Sequence, residues 1–210
     1  MSVANAAHLL TRQSHRQRGG DPVTCLDDLT LARSRAHELC GTSRRTLALT
    51  VAQAMQGPVL WIRPSWTPGR LNPEGMLRLI DPSRLIIVSP QRPEDLLWTA
   101  EEGLRAGIVP LIVADLPGPP SLTAVRRLHL AAETGAEMGV APLGLILTPG
   151  DGGAPGVESR WSLEPAHGQA GSECWRLNRR RARTEPEKEW RVAGGASGLT
   201  LASPLETAPA

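Results

Sequence analysis

The chain has 210 residues, a formal net charge of +2, 40% hydrophobic residues and 21% charged residues, a composition typical of one globular domain. Of its 23 basic residues only Lys188 is a lysine, and its aromatic residues are six tryptophans without any phenylalanine or tyrosine. These absences exclude tyrosine chemistry and an RNA-binding sheet built on phenylalanine or tyrosine platforms. They also exclude a lysine in a phosphate-binding loop or in a Schiff base at any position other than 188.

The cysteines and the terminal segments indicate a compartment. Cys25, Cys40 and Cys174 are far apart and lack the spacing of a zinc site, so we expect reduced thiols in a cytoplasmic protein. The sequence contains no run of 18 apolar residues, so we expect no transmembrane helix. Residues 1–20 are polar and basic, and we expect a disordered arm rather than a signal peptide.

Strands and helices alternate in the pattern from about residue 35 to residue 149. Short apolar runs predict five strands: Ala36–Cys40, Val59–Ile62, Leu85–Val88, Ile108–Ala114 and Leu143–Leu147. Apolar residues at helical spacing predict four helices, at 46–56, 73–80, 93–106 and 122–134. Because the strands are apolar throughout, both of their faces should be covered, which favours a doubly wound, mostly parallel α/β sheet.

The pattern changes after residue 150. Apolar and polar residues alternate at 161–163, 174–177 and 190–192, which predicts an antiparallel hairpin or meander on one edge of the sheet. From residue 194 the chain is rich in Gly, Ala, Ser and Pro, which is typical of a disordered tail. We therefore predict a disordered arm at 1–20, a core at 21–193 with its hairpin extension at about 158–193, and a disordered tail at 194–210.

Several segments in this order resemble the RecA ATPase core, most clearly between Leu85 and Leu116, where LIIVSPQRPEDLLW and AEEGLRAG precede the strand LIVADL. The chain resembles ImuA-like proteins more closely; these are RecA relatives of bacterial SOS mutagenesis cassettes. The similar segments are HEL at 37–39, GPVLWI at 57–62, EDLLW at 94–98, RRLHLAAE at 126–133, SRW at 159–161, WRL at 175–177 and Trp190. The resemblance spans about 29–193 and implies a RecA-like fold.

The resemblance also locates a degenerate nucleotide site. A P-loop needs a second glycine and a lysine, whereas the matching segment is Gly41, Thr42, Ser43, Arg44, Arg45 and Thr46. Asp115 matches the Walker B aspartate, although an aspartate after a strand is also a common turn residue. The segment WIRPS at 61–65 lacks the activating glutamate, and the strand at 145–147 runs into Thr148 and Pro149 where a sensor glutamine is expected. We predict no catalytic residue, no ATP hydrolysis and no cofactor, while residual ATP or anion binding at the helix start remains open.

The densest basic cluster predicts a second site, a partner or DNA contact formed by Trp175, Arg176, Arg179, Arg180, Arg181, Arg183 and Trp190. Arginines and indoles together can bind single-stranded DNA by charge and stacking. A solvated hairpin balanced by nearby glutamates, or contact with an acidic protein, explains the same residues. His37, Glu38 and His129 lack metal-ligand spacing, so no metal site is predicted. Trp61 and Trp98 are predicted in the core, and Trp66 at the surface.

These expectations define one leading function and two alternatives. By resemblance, the chain is a non-catalytic RecA-fold adaptor that assists SOS-induced, error-prone translesion DNA synthesis. Its implied partners are an ImuB-like relative of Y-family polymerases and RecA, with single-stranded DNA contacted weakly or indirectly, and no membrane. The alternatives are a SulA-like regulatory inhibitor of cell division and a weak RecA-like ATPase.

Overall fold

A computed structural model describes residues 20–167 and 173–202. The predicted disorder at 1–19 and 203–210 lies outside the described residues. The strands are β1 (Val23–Cys25), β2 (Leu29–Leu31), β3 (Ala36–Cys40), β4 (Val59–Ile62), β5 (Leu85–Val88), β6 (Leu111–Asp115), β7 (Leu143–Leu147), β8 (Ser159–Pro165), β9 (Cys174–Ala182), β10 (Lys188–Gly195) and β11 (Gly198–Ala202). The helices are α1 (Arg44–Gln53), α2 (Pro73–Met76), α3 (Pro93–Arg105) and α4 (Leu122–Met138), with a 3₁₀ turn at Pro82–Arg84.

Within residues 20–167 and 173–202, one nine-stranded sheet has the order β11-β10-β9-β8-β3-β7-β6-β4-β5. The six strands from β8 to β5 are parallel to one another, and β9, β10 and β11 continue the sheet in antiparallel pairs. The prediction of an α/β fold with a large, mostly parallel sheet is therefore confirmed. A separate hairpin, β1–β2, was not anticipated from the sequence.

Helices cover both faces of the sheet, as apolar strands require. On one face α1 packs with the β1–β2 hairpin around Leu47, Val51, Trp61 and Trp161. On the other face α3 and α4 bury two apolar stripes, one of them at Leu96, Ala100 and Leu104. Helix α4 begins where the Ser121 hydroxyl accepts a hydrogen bond from the Ala124 N–H, at 3.3 Å.

Strand β8 forms its predicted antiparallel pairing on one side only. Its sequence alternates as an antiparallel strand would, yet it pairs in parallel with β3 and antiparallel with β9. It therefore joins the two halves of the sheet and brings its carboxyl end beside the loop that follows β3. This placement determines the surroundings of the candidate site.

Three further expectations were wrong. The predicted tail begins too early, because β10 continues to Gly195 and β11 pairs with it through residue 202. Strand β5 lies at the sheet edge, so Ile86 and Ile87 are 48% and 54% exposed although the strand reads as buried. Trp98 is 58% exposed, because it lies on the side of α3 opposite the buried stripe.

Among residues 20–167 and 173–202 no helix is both long and apolar enough to cross a membrane. The same described residues contain no cluster of three or more His, Cys, Asp or Glu side chains suited to a metal ion.

Candidate functional site

The degenerate nucleotide segment lies at the carboxyl ends of the parallel strands, where α/β folds bind ligands. The loop Gly41–Ser43 connects β3 to α1, and Asp115 ends β6, two strands away. The Nε of Arg45 donates a hydrogen bond to Oδ2 of Asp115 at 2.6 Å, and the Nε of Arg44 lies 3.8 Å from Oδ1. The structure thus brings Arg44, Arg45 and Asp115 of the predicted nucleotide site together, and they form ion pairs.

The backbone of this loop is occupied by acceptors of the protein itself. Its N–H groups donate as follows: Gly41 to the Gly150 carbonyl (2.9 Å), Thr42 to the Glu164 carboxylate (3.2 Å), Ser43 to the Leu163 carbonyl (3.0 Å) and Arg44 to the Gly41 carbonyl (3.4 Å). In a P-loop, N–H groups at these positions surround phosphate oxygens. Here the carboxylate of Glu164 is the anion at the loop.

Glu164 was not identified from the sequence. Its Oε2 also accepts a hydrogen bond from the Thr42 hydroxyl at 2.5 Å. Gly41 has a φ of +89°, and a Cβ added there would lie 2.6 Å from Oε1 of Glu164 and 2.7 Å from the Leu163 carbonyl oxygen. A side chain at position 41 would therefore displace Glu164 from the loop. No local sequence pattern marks this carboxylate, because Glu164 reaches the loop through the parallel pairing of β8 with β3.

Thr46, the last residue of the predicted segment, lies in the first turn of α1 and is half-buried. Its carbonyl accepts a hydrogen bond from the Thr50 hydroxyl at 3.0 Å. This contact belongs to the helix and does not involve Asp115 or Glu164.

Positive charge exceeds negative charge around Asp115, whose side chain is only 4% exposed. Two arginines approach this one carboxylate, and the loop between β4 and α2 passes over them. A Cβ added at Gly69 in that loop would lie 2.8 Å from Nη1 of Arg45. The guanidinium is therefore confined between Asp115 and the backbone of the loop.

A second ion pair stabilises the base of the site. Glu38 on β3 is fully buried and pairs with Arg160 on β8. Its carboxylate also accepts hydrogen bonds from the Thr148 hydroxyl at 2.6 Å, the Gly153 N–H at 2.9 Å and the Ala154 N–H at 3.1 Å. Because the carboxylate is saturated by the protein, Glu38 holds the 148–154 loop against β3.

The predicted partner or DNA cluster is divided between two environments. Trp190 is 2% exposed and stacks on Trp161, with ring centroids 5.5 Å apart. The Arg179 guanidinium lies 5.6 and 5.5 Å from these two rings, pairs with Glu185 and donates to the Pro186 carbonyl at 3.0 Å. Trp175 packs against the same core. These three residues of the predicted cluster therefore contribute to the core packing of the antiparallel half.

The other four arginines of the cluster are accessible to different degrees. Arg176 is 54% exposed and Arg183 is 70% exposed, the latter 3.3 Å from Glu158. Arg180 donates to the Ser162 hydroxyl at 2.9 Å and pairs with Asp151 at 2.9 Å, and Arg181 is exposed. These four arginines can therefore attract the phosphates of a nucleic acid by charge. Among the described residues, they have no exposed indole beside them on which a base could stack.

His37 lies next to Glu38 on β3 and is completely buried. Its Nδ1 is 2.7 Å from the Ser159 hydroxyl, and its Nε2 is 3.0 Å from the Ala32 carbonyl. Burial lowers the pKa of His37 to about 4. The neutral ring therefore donates from Nε2 to the carbonyl and accepts at Nδ1 from the serine, a structural arrangement.

Comparison of the chain with models of known protein families found no match, and comparison with curated proteins found no significant similarity.

Proposed function

We propose that the chain is a non-catalytic RecA-fold adaptor that assists error-prone translesion DNA synthesis. The observation that carries the non-catalytic part is the ion pair between Arg45 and Asp115, at 2.6 Å. In a P-loop enzyme the corresponding lysine reaches the outer phosphates of the nucleotide and the Walker B aspartate serves the magnesium ion. In this chain the two positions neutralise each other.

Glu164 supports the same proposal from the other side of the loop. A nucleotide phosphate would have to displace a carboxylate held by the Thr42 N–H and hydroxyl. It would also need N–H groups that already donate to the carbonyls of residues 150 and 163. Both adjustments cost hydrogen bonds that a bound nucleotide would have to replace.

The RecA-like fold is supported by the placement of these elements. A parallel strand, a short loop and a helix carry Gly41 to Thr46, and the strand that ends in Asp115 lies two positions away with β7 between them. The proposed partners, an ImuB-like polymerase relative and RecA, come from the resemblance. Docking of such partners requires a folded body but not turnover of ATP.

Complementation of a deletion strain tests the proposal. We expect the deletion strain to lose damage-induced mutagenesis. The wild-type chain and Asp115→Asn, at matched protein levels, should restore that mutagenesis equally. Normal mutagenesis in the deletion strain contradicts the adaptor role. Failure of Asp115→Asn at full protein level, together with ATP turnover by the purified wild-type chain, supports the weak ATPase instead.

A further assay separates the adaptor from the SulA-like alternative. The purified chain is tested for binding to an ImuB-like protein and to the tubulin-like cell-division protein. We expect binding to the first and not to the second. The reverse result, with cell filamentation on overproduction, supports the inhibitor of cell division.

A further inference from the structure

A cavity of about 250 Å³ opens at the carboxyl ends of β4 and β5, on the α1 face of the sheet. It is lined by Trp61, Arg63, Arg70, Leu71, Ile87 and Ser89. The first two residues come from the end of β4, the last two from the end of β5, and Arg70 and Leu71 from the loop that also passes over Arg45. Its volume exceeds several-fold the roughly 30 Å³ of a water molecule.

Arg63 is the unusual member of this lining. It is only 9% exposed, its Nη2 donates to the Thr67 carbonyl at 2.5 Å, and its buried Nε has no hydrogen-bond partner among the described residues. No carboxylate within the described part of the chain pairs with it. Buried guanidinium groups are normally paired, because an uncompensated buried charge is costly. Arg63 thus presents an unmatched positive charge at the cavity.

Two further groups complement Arg63. Arg70 is exposed and forms no ion pair or hydrogen bond with the residues that the structure describes, and Ser89 contributes a hydroxyl. Two guanidinium groups and a hydroxyl suit an oxyanion that carries two charges, and guanidinium groups bind phosphate oxygens through paired hydrogen bonds. The remaining wall is apolar at Leu71 and Ile87, which suits an organic group attached to the anion.

We propose that this cavity binds a phosphate monoester, with Arg63 and Arg70 holding the phosphate and Leu71 and Ile87 contacting the group that carries it. The site is separate from the Arg45–Asp115 pair and does not depend on the proposed function. The ligand has two sources, a free small phosphate ester or the 5′-terminal phosphate of a nucleic-acid strand.

Calorimetric titration of the full chain tests the site, with inorganic phosphate and glycerol 3-phosphate as probes. We expect the ester to bind with a Kd of about 1 mM or tighter. Arg70→Ser should weaken it about tenfold, by removing one charged hydrogen-bonding group. The matched control is Arg126→Ser on α4, which removes another exposed arginine from the opposite face, one that forms no ion pair or hydrogen bond within the described part of the chain. It should leave the Kd unchanged.

Arg63→Met gives the second test, because it removes the buried charge while retaining the length of the side chain. We expect loss of phosphate binding with a melting temperature equal to or above that of the wild type. A large fall in melting temperature would show that Arg63 is structural and would overturn the proposal. Phosphate binding that survives both Arg63→Met and Arg70→Ser would also overturn it.

Oligonucleotides distinguish the two sources. The protein is compared on a 5′-phosphorylated strand and on the same strand with a 5′-hydroxyl. If it prefers the phosphorylated strand and Arg70→Ser loses this preference, the site binds nucleic-acid ends. Binding of glycerol 3-phosphate without such a preference assigns it to small phosphate esters. If none of these probes binds, the proposal is wrong.

Discussion

Replacement of Asp115 by asparagine removes the charge that Arg44 and Arg45 share, with little change in shape. The Asp115 side chain is 4% exposed, whereas that of Arg45 is 31% exposed. A hydrogen bond to a charged group contributes about 1.5–3 kcal/mol, and partial solvation of Arg45 reduces this contribution. The weaker approach of Arg44, at 3.8 Å, adds little. We therefore expect Asp115→Asn to lower the free energy of unfolding by about 2 kcal/mol.

A double-mutant cycle isolates the Arg45–Asp115 pair from other effects of the substitutions. Arg45→Met, Asp115→Asn and the double variant are unfolded in urea and monitored by tryptophan fluorescence, with the buried Trp61 and Trp161 as reporters. The coupling free energy should be about 1–2 kcal/mol. At this chain length, 1 kcal/mol corresponds to a shift in melting temperature of about 2–4 °C.

Two outcomes would refute this reasoning. A coupling free energy below about 0.3 kcal/mol would mean that the pair contributes no more than an exposed ion pair. Tight ATP binding by the wild-type chain, weakened by Asp115→Asn, would mean that the two groups separate to admit a nucleotide. Arg126→Ser serves as the control for the loss of a surface arginine.

Three more measurements test the structure. Glu38→Gln should lower the free energy of unfolding in urea by about 3–5 kcal/mol, because Arg160 then keeps a charge without a partner. The folded-state pKa of His37, about 4, lies below its ordinary 6.5; the contribution of His37 to stability should therefore be constant above about pH 6.5 and fall by about 3 kcal/mol towards pH 4, a contribution that His37→Asn removes. Burial also lowers the pKa of His129, so a smaller loss in the same pH range should persist in that variant. In the same urea assay Trp161→Ala should cost about 3–5 kcal/mol, whereas Trp98→Ser should change stability by less than about 0.5 kcal/mol.

The parallel half of the fold could be predicted because its strands are short apolar runs between well-marked helices. Pro93 with two acidic residues in the first turn marks the start of α3, and Ser121 marks that of α4. The β1–β2 hairpin has no such marker. Leu26 and Asp27 adopt positive φ values of 49° and 54° at its turn, where glycine or asparagine is the usual signal.

The candidate site could be predicted in part. Gly41 and Arg45 were assigned by the resemblance of their segment to a P-loop, and Asp115 by its resemblance to the Walker B aspartate that ends a strand. Glu164 could not be found in this way, because it reaches Thr42 across 122 residues through a parallel strand pair. Trp190 and Arg179 were grouped with their neighbours by sequence, but alternation along a strand sends adjacent side chains to opposite faces.

The single lysine acquires a place in the structure that composition alone does not indicate. Lys188 Nζ lies 3.0 Å from Asp28 and 4.8 Å from the Trp190 ring centroid, and Trp190 Nε1 donates to the same carboxylate at 2.6 Å. Hydrogen bonds from Lys188 and Trp190 lower the pKa of Asp28. Lys188 therefore attaches β10 to the β1–β2 hairpin.

The central position of β3 has a consequence for the order of events during synthesis. Its two neighbours are β7 and β8, and Glu38 meets Arg160 only after 122 further residues have been added. At about 5–20 residues per second, that interval is about 6–25 s. Strand β7 is complete only at Leu147 and β8 begins only at Ser159, so for most of this interval the strand that will occupy the middle of the sheet has neither partner. Its pairing with β8 is therefore among the later steps of folding.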